Sequence, residues 1–180
     1  MKRALIFIIG ITVAACSTSL TYQQAMEKNQ SNLKSSDMES DARFLVEAKS
    51  FSILEHELGK LASEKGYAAA VQFYGQKIVK DHETMNERLD KLASANDIKV
   101  PSRMSEGHRQ KYEQVANADR SKFDEEFIGT IEDIYESHIS LFKQFATSAT
   151  DDDVRAFAAK YLGMVRANEE EADAIEGELL

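Results

Sequence analysis

Four polar residues stand where helical periodicity calls for apolar ones. Read at alternating spacings of three and four, the chain gives Phe44, Ala48, Phe51, Glu55, Leu58 and Ala62, then Val71, Gly75, Ile78, His82, Met85, Leu89 and Leu92. A third stripe runs Phe127, Ile131, Ile134, His138, Leu141 and Phe145, and a fourth Val154, Ala158, Tyr161, Val165, Asn168, Ala172 and Ile175. Glu55, His82, His138 and Asn168 each interrupt the middle of a stripe. A buried carboxylate or imidazole without a partner is strongly disfavoured, so these side chains need partners in the interior. Carboxylates and imidazoles converging from separate helices are also how helical bundles hold transition metals. Two readings follow: a metal or polar-ligand site, or a satisfied buried polar network.

Counting along the helices away from each turn discriminates among pairings. A pivot near residue 65 brings His82 level with Glu47, and one near residue 150 brings Asn168 level with Glu132. Glu55 and His138 then fall in a second layer. Asp81 beside His82 is a capping or orienting candidate, although neighbours on a helix point about 100° apart. The Glu-x-x-His pattern of di-iron bundles is absent, because Val79 and Tyr135 stand three residues before His82 and His138. His56 and His108 lie off the stripes and are expected to face solvent. The acidic runs 151–153 and 169–171 read as a helix start and a solvated face. No phosphate loop, nucleophile elbow or Ser/His/Asp arrangement can be read, so nothing supports a nucleophilic enzyme.

The elements that must position these residues are four amphipathic helices of about 22 to 27 residues each. A short turn around residues 63–67, with Gly66 as stop, joins the first two; residues 146–153, with Thr150 and Asp151 as candidate caps, join the last two. Between the pairs, residues 94–121 carry the only proline, Pro101, and a polar segment, 105–115, suited to a minor helix. A connection of that length can run back along the second helix and make helices two and three parallel. The expected fold is all-α: a ferritin-like four-helix bundle of two antiparallel hairpins joined by a long crossover.

Composition narrows the function classes. The 180 residues include 22 Lys plus Arg against 31 Asp plus Glu, for a formal charge of -9 with no basic block, which excludes nucleic acid as the main partner. Residues 1–15 have a basic start, Met1-Lys2-Arg3, and an apolar run too short to span a bilayer, closed by Val13-Ala14-Ala15 before Cys16. That ending resembles the lipobox of bacterial lipoproteins. It makes Cys16, the only cysteine, the expected lipid attachment point and the membrane the expected partner, with Ser17 favouring the outer membrane and the folded part facing the periplasm. Residues 16–40 are polar and read as the lipidated Cys and a flexible tether; 41–180 are the helical domain.

Glu55-His56-Glu57-Leu58-Gly59-Lys60-Leu61-Ala62, then Val79-Lys80-Asp81-His82, then a histidine central in the third helix, resemble the DUF4142 family of exported bacterial proteins of unknown function. The resemblance extends over about residues 41–172, implies a ferritin-like fold, and points to Glu55, Asp81, His82 and His138 as functional candidates. The chain departs from the family in its fourth helix, which has Leu162-Gly163 and Asn168 where the family has Leu-Pro and then a histidine. The leading expectation is an envelope protein with a binding or structural role of unassigned protein or small-ligand specificity. The alternative is a metal-binding or redox protein with a transition metal as cofactor, held by histidines and carboxylates of the bundle core.

Overall fold

A computed structural model describes residues 19–34 and 37–179. The described residues are all-α, with six helices: α1 Tyr22–Asn32, α2 Glu39–Lys65, α3 Ala69–Ala95, α4 Glu106–Ala116, α5 Phe123–Ser148 and α6 Asp152–Leu179. None of them is long and apolar enough to cross a membrane. Residues 1–15 and Cys16 lie outside the described part of the chain.

The four long helices carry the expected stripes. α2 lies antiparallel on α3, and α5 antiparallel on α6, along their lengths; α2 also meets α5, and α3 meets α6. Phenylalanines fill the α2, α5 and α6 contact: Phe44 stacks on Phe145 at 4.4 Å and meets Phe142 edge-on at 5.3 Å. α2 and α3 lie backbone against backbone where two glycines face each other. A Cβ added to Gly75 would lie 2.7 Å from the Gly59 carbonyl oxygen, and one on Gly59 would lie 2.8 Å from that of Gly75. Gly66 ends α2 with φ -50, so left-handed geometry is not its reason; a Cβ there would meet the Ala62 carbonyl oxygen at 2.7 Å.

Each hairpin is sealed by the other. Asp41, in the first turn of α2, accepts hydrogen bonds from the Thr150 and Asp151 backbone N–H groups at 3.1 and 2.8 Å, in the turn before α6. Asp124, in the first turn of α5, accepts from the Tyr67 and Ala68 N–H groups at 2.9 and 2.7 Å, in the turn before α3. Both carboxylates thus supply partners for donors that helix starts leave unpaired. The correspondence extends along the chain with a constant offset of 83 residues: Asp41 with Asp124, Phe44 with Phe127, Glu55 with His138, Val71 with Val154, and Gly75 with Ala158.

Two shorter helices complete the fold. α4 lies in the crossover and packs on α2 and α5. It begins at Ser105, whose hydroxyl accepts from the His108 N–H at 3.2 Å. α1 occupies part of the stretch expected to be a flexible tether. It starts with a capping box: the Thr21 hydroxyl accepts from Gln24 N–H at 3.2 Å, and Gln24 Oε1 accepts from Thr21 N–H at 3.0 Å. Its inward side is only Tyr22, Ala25 and Asn29, too short and too polar a stripe to read as a core helix from periodicity. α2 therefore has α1, α3, α4 and α5 around it, and its buried residues lie on nearly every side.

Candidate functional site

Where α2, α4 and α5 meet, three side chains point at one another. Glu47 comes from α2, His108 from the first turn of α4 and His138 from the middle of α5; one ligand atom from each falls within 4.8 Å of the other two. Glu47 Oε1 is 3.5 Å from His108 Nε2 and 3.8 Å from His138 Nε2. Both imidazoles are buried and the carboxylate is partly so.

Neighbouring groups fix the orientation of each. His138 Nδ1 lies 2.8 Å from the Ile134 carbonyl oxygen, which can only accept, so Nδ1 donates to it and Nε2 is the nitrogen turned toward Glu47. The His138 ring stacks on Phe51 at 4.0 Å with 17° between planes. His108 Nδ1 is 2.7 Å from the Ser50 hydroxyl, which also accepts from the Ser105 N–H at 2.7 Å. The Tyr22 hydroxyl donates to Glu47 Oε2 at 2.7 Å, leaving Oε1 to face the rings. Burial pushes the Glu47 carboxyl up, but hydrogen bonds from His138 and Tyr22 and the charges of the two histidines outweigh it and hold the group below its ordinary value. Burial pushes His108 down, with Glu47 opposing. The result is a carboxylate and two imidazoles whose outer nitrogens are held, the arrangement that second partners give to metal ligands.

The expected stripe residues occupy a different place. Glu55 is fully buried between α2 and α5; neither of its oxygens has a well-formed hydrogen bond, and burial pushes its carboxyl up to about 8, with the Tyr135 hydroxyl opposing. His82 is also fully buried and is pushed down to about 3. It pairs with Ser52, whose hydroxyl lies 3.1 Å from its Nδ1, while Nε2 is without a partner. Asn168 accepts from the Tyr74 hydroxyl through its backbone carbonyl at 2.7 Å, and its side-chain oxygen accepts from Lys77. Asp81 pairs with Lys77 on the surface of α3, at 3.4 Å, away from the His82 ring. Glu132 faces the acidic side of α6, where burial and the charges of Glu176 and Asp173 push it up.

The pairings drawn from counting therefore shift. His82 comes level with Ser52, and Asn168 with the Tyr74 and Tyr135 layer, rather than with Glu47 and Glu132. For His82 the physical reason is the turn: Gly66 and Ala68 are extended on either side of Tyr67 before α3 starts, which moves the pivot about two residues beyond Lys65. His108, expected to face solvent, is buried at 8% exposure. The signal was present in the crossover, where His108, Tyr112 and Val115 repeat the four-then-three spacing of the long helices. His56 is partly buried on the surface, between Glu57 at 3.1 Å and Glu83 at 3.6 Å.

An all-α chain with a histidine and carboxylate cluster under its crossover is the class defined by this fold and site. Within it the chain belongs to the DUF4142 family, described as a domain of unknown function, whose model matches residues 24–175. No curated protein and no solved structure matches it.

Proposed function

We propose that this protein binds a divalent transition metal through Glu47, His108 and His138, as a lipid-anchored protein of the cell envelope with a ferritin-like arrangement of its two hairpins. The observation that carries the metal reading is the convergence of Glu47, His108 and His138, one ligand atom of each within 4.8 Å of the other two. Both Nδ1 atoms are engaged elsewhere, that of His138 by the Ile134 carbonyl and that of His108 by the Ser50 hydroxyl, so each ring turns Nε2 toward Glu47 Oε1, at 3.8 and 3.5 Å. Two imidazole nitrogens and one carboxylate oxygen suit zinc, iron, copper or nickel better than calcium or magnesium. Metal to ligand distances of about 2.0 to 2.2 Å place ligand atoms some 3.3 Å apart, so the observed spacings require only a modest contraction.

Isothermal titration of the full chain in detergent with Zn²⁺ tests this reading. One equivalent is expected to bind, and His108→Ala or His138→Ala to weaken it by at least about tenfold; binding of equal strength in both variants would overturn it. The anchor is supported by the Val13 to Cys16 motif. Fractionation of a Cys16→Ser variant is expected to move the protein from the membrane to the soluble fraction, and retention in the membrane would contradict it.

A further inference from the structure

We propose that α1 is a working part of this metal site: Tyr22 positions Glu47, so that metal occupancy and the docking of α1 on the bundle strengthen each other. This rests on the metal reading above and names the regulation of the same site.

The attachment of α1 is sparse. Within the helix only Ala25 and Asn29 are buried, and an isolated helix of this length is marginal in water, so its docked state depends on a few specific contacts. At its far end the Asn29 amide pairs with the Lys99 backbone in both directions, donating at 2.7 Å and accepting at 2.8 Å. At its start the Leu20 carbonyl accepts from the Ser102 N–H at 2.9 Å. Between them, a side-chain hydrogen bond from α1 to α2 ends on a proposed metal ligand: Tyr22 donates to Glu47 Oε2 at 2.7 Å.

That bond does something specific to the carboxylate. It holds Oε2 toward α1 and leaves Oε1 opposite the two imidazoles, which favours single-oxygen ligation. With the phenol absent, the carboxylate is free to rotate and present both oxygens. Partners of this kind behind a ligand typically alter metal affinity by about 10- to 100-fold. Linkage makes the effect reciprocal, since whatever factor docked α1 adds to metal affinity, bound metal adds to the docking of α1. Metal occupancy would thereby govern how firmly the segment leading back toward the N-terminus is held.

The test compares full-chain wild type, Tyr22→Phe and Asn29→Ala in detergent. Asn29→Ala matters because it loosens α1 without touching the site. Zn²⁺ affinity by titration is expected to fall about 10- to 100-fold in Tyr22→Phe and several-fold in Asn29→Ala. The visible absorption of bound Co²⁺ is expected to weaken in Tyr22→Phe as Glu47 takes up two-oxygen ligation, a change that a purely structural role for the tyrosine would not produce. Amide exchange across residues 22–32 is expected to slow when Zn²⁺ saturates the wild type. Unchanged Zn²⁺ affinity in both variants, or exchange in 22–32 indifferent to Zn²⁺, would overturn the coupling while leaving the metal site standing. Failure of the wild type to bind Zn²⁺ at all would overturn the metal reading, and the coupling with it.

Discussion

Burial acts on Glu55 and His82 in opposite directions, and the two together shape how stability depends on pH. Glu55 holds its proton up to about 8 in the fold, against an ordinary value of 4.5. The native state therefore binds the more protons in that interval, and stability falls as pH rises from 4.5 to 8. His82 resists protonation down to about 3 against an ordinary 6.5, so here the unfolded chain binds more protons and stability falls as pH drops from 6.5 to 3. Between 4.5 and 6.5 the two slopes oppose each other; above 6.5 Glu55 acts alone. Denaturant unfolding is expected to show a loss approaching about 1 kcal/mol per pH unit from pH 6.5 to 8 in the wild type. Glu55→Gln should flatten that limb and be the more stable protein at pH 8. Parallel profiles for the two proteins would remove Glu55 as the cause. At this scale the stripe positions were readable because a polar residue at a core position is conspicuous. Glu47 was readable only as a level partner for His82, and Tyr22 and His108 were not, because they act from outside the four stripes.

At the scale of elements, the contact of α2 with α3 sets how well positions on one helix can be matched to the other. The facing glycines bring backbone against backbone, and there is no side chain to shorten. Gly75→Ala is expected to force the helices apart and lower stability by about 1 to 3 kcal/mol, despite alanine's better helix propensity. Gly163→Ala on α6, where an added Cβ meets nothing within 4 Å, should instead be neutral or stabilise by up to about 1 kcal/mol. Thermal unfolding of the pair checks both signs, and a destabilised Gly163→Ala would show that the α2 and α3 contact is not what separates them. The long helices were legible because each repeats its apolar spacing over many turns. The layer assignments were less so, because a turn of three residues at 66–68 displaces every level on α3, and periodicity says nothing about turn length. α1 lacks enough apolar residues to announce itself; its place comes from hydrogen bonds to α2 and to the segment after α3.

For the whole molecule, the two hairpins resemble copies of one plan, and the site arises where they differ. Glu55 and His138 occupy equivalent positions, and at nearly the same offset the capped helix α4 corresponds to α1, with His108 standing where the first half has Ala25. His138 thus joins the buried cluster under α4, while its counterpart carboxyl, Glu55, stays in the interior between the helices. The asymmetry lies in what the two short helices contribute, since α4 supplies His108 and packs on both α2 and α5, while α1 packs on α2.

The exchanged aspartates have a bearing on how the chain comes to be folded at all. During synthesis the first hairpin emerges complete in length, yet the acceptor for its turn, Asp124, lies in a segment made later. The second hairpin in turn depends on Asp41, made long before it. Each half thus lacks an acceptor for its own turn until the other is in place, which couples the stability of the two. A second copy of the chain offers the same aspartates in the same register, which makes exchange of hairpins between two molecules the natural error of this architecture when chains are crowded during folding.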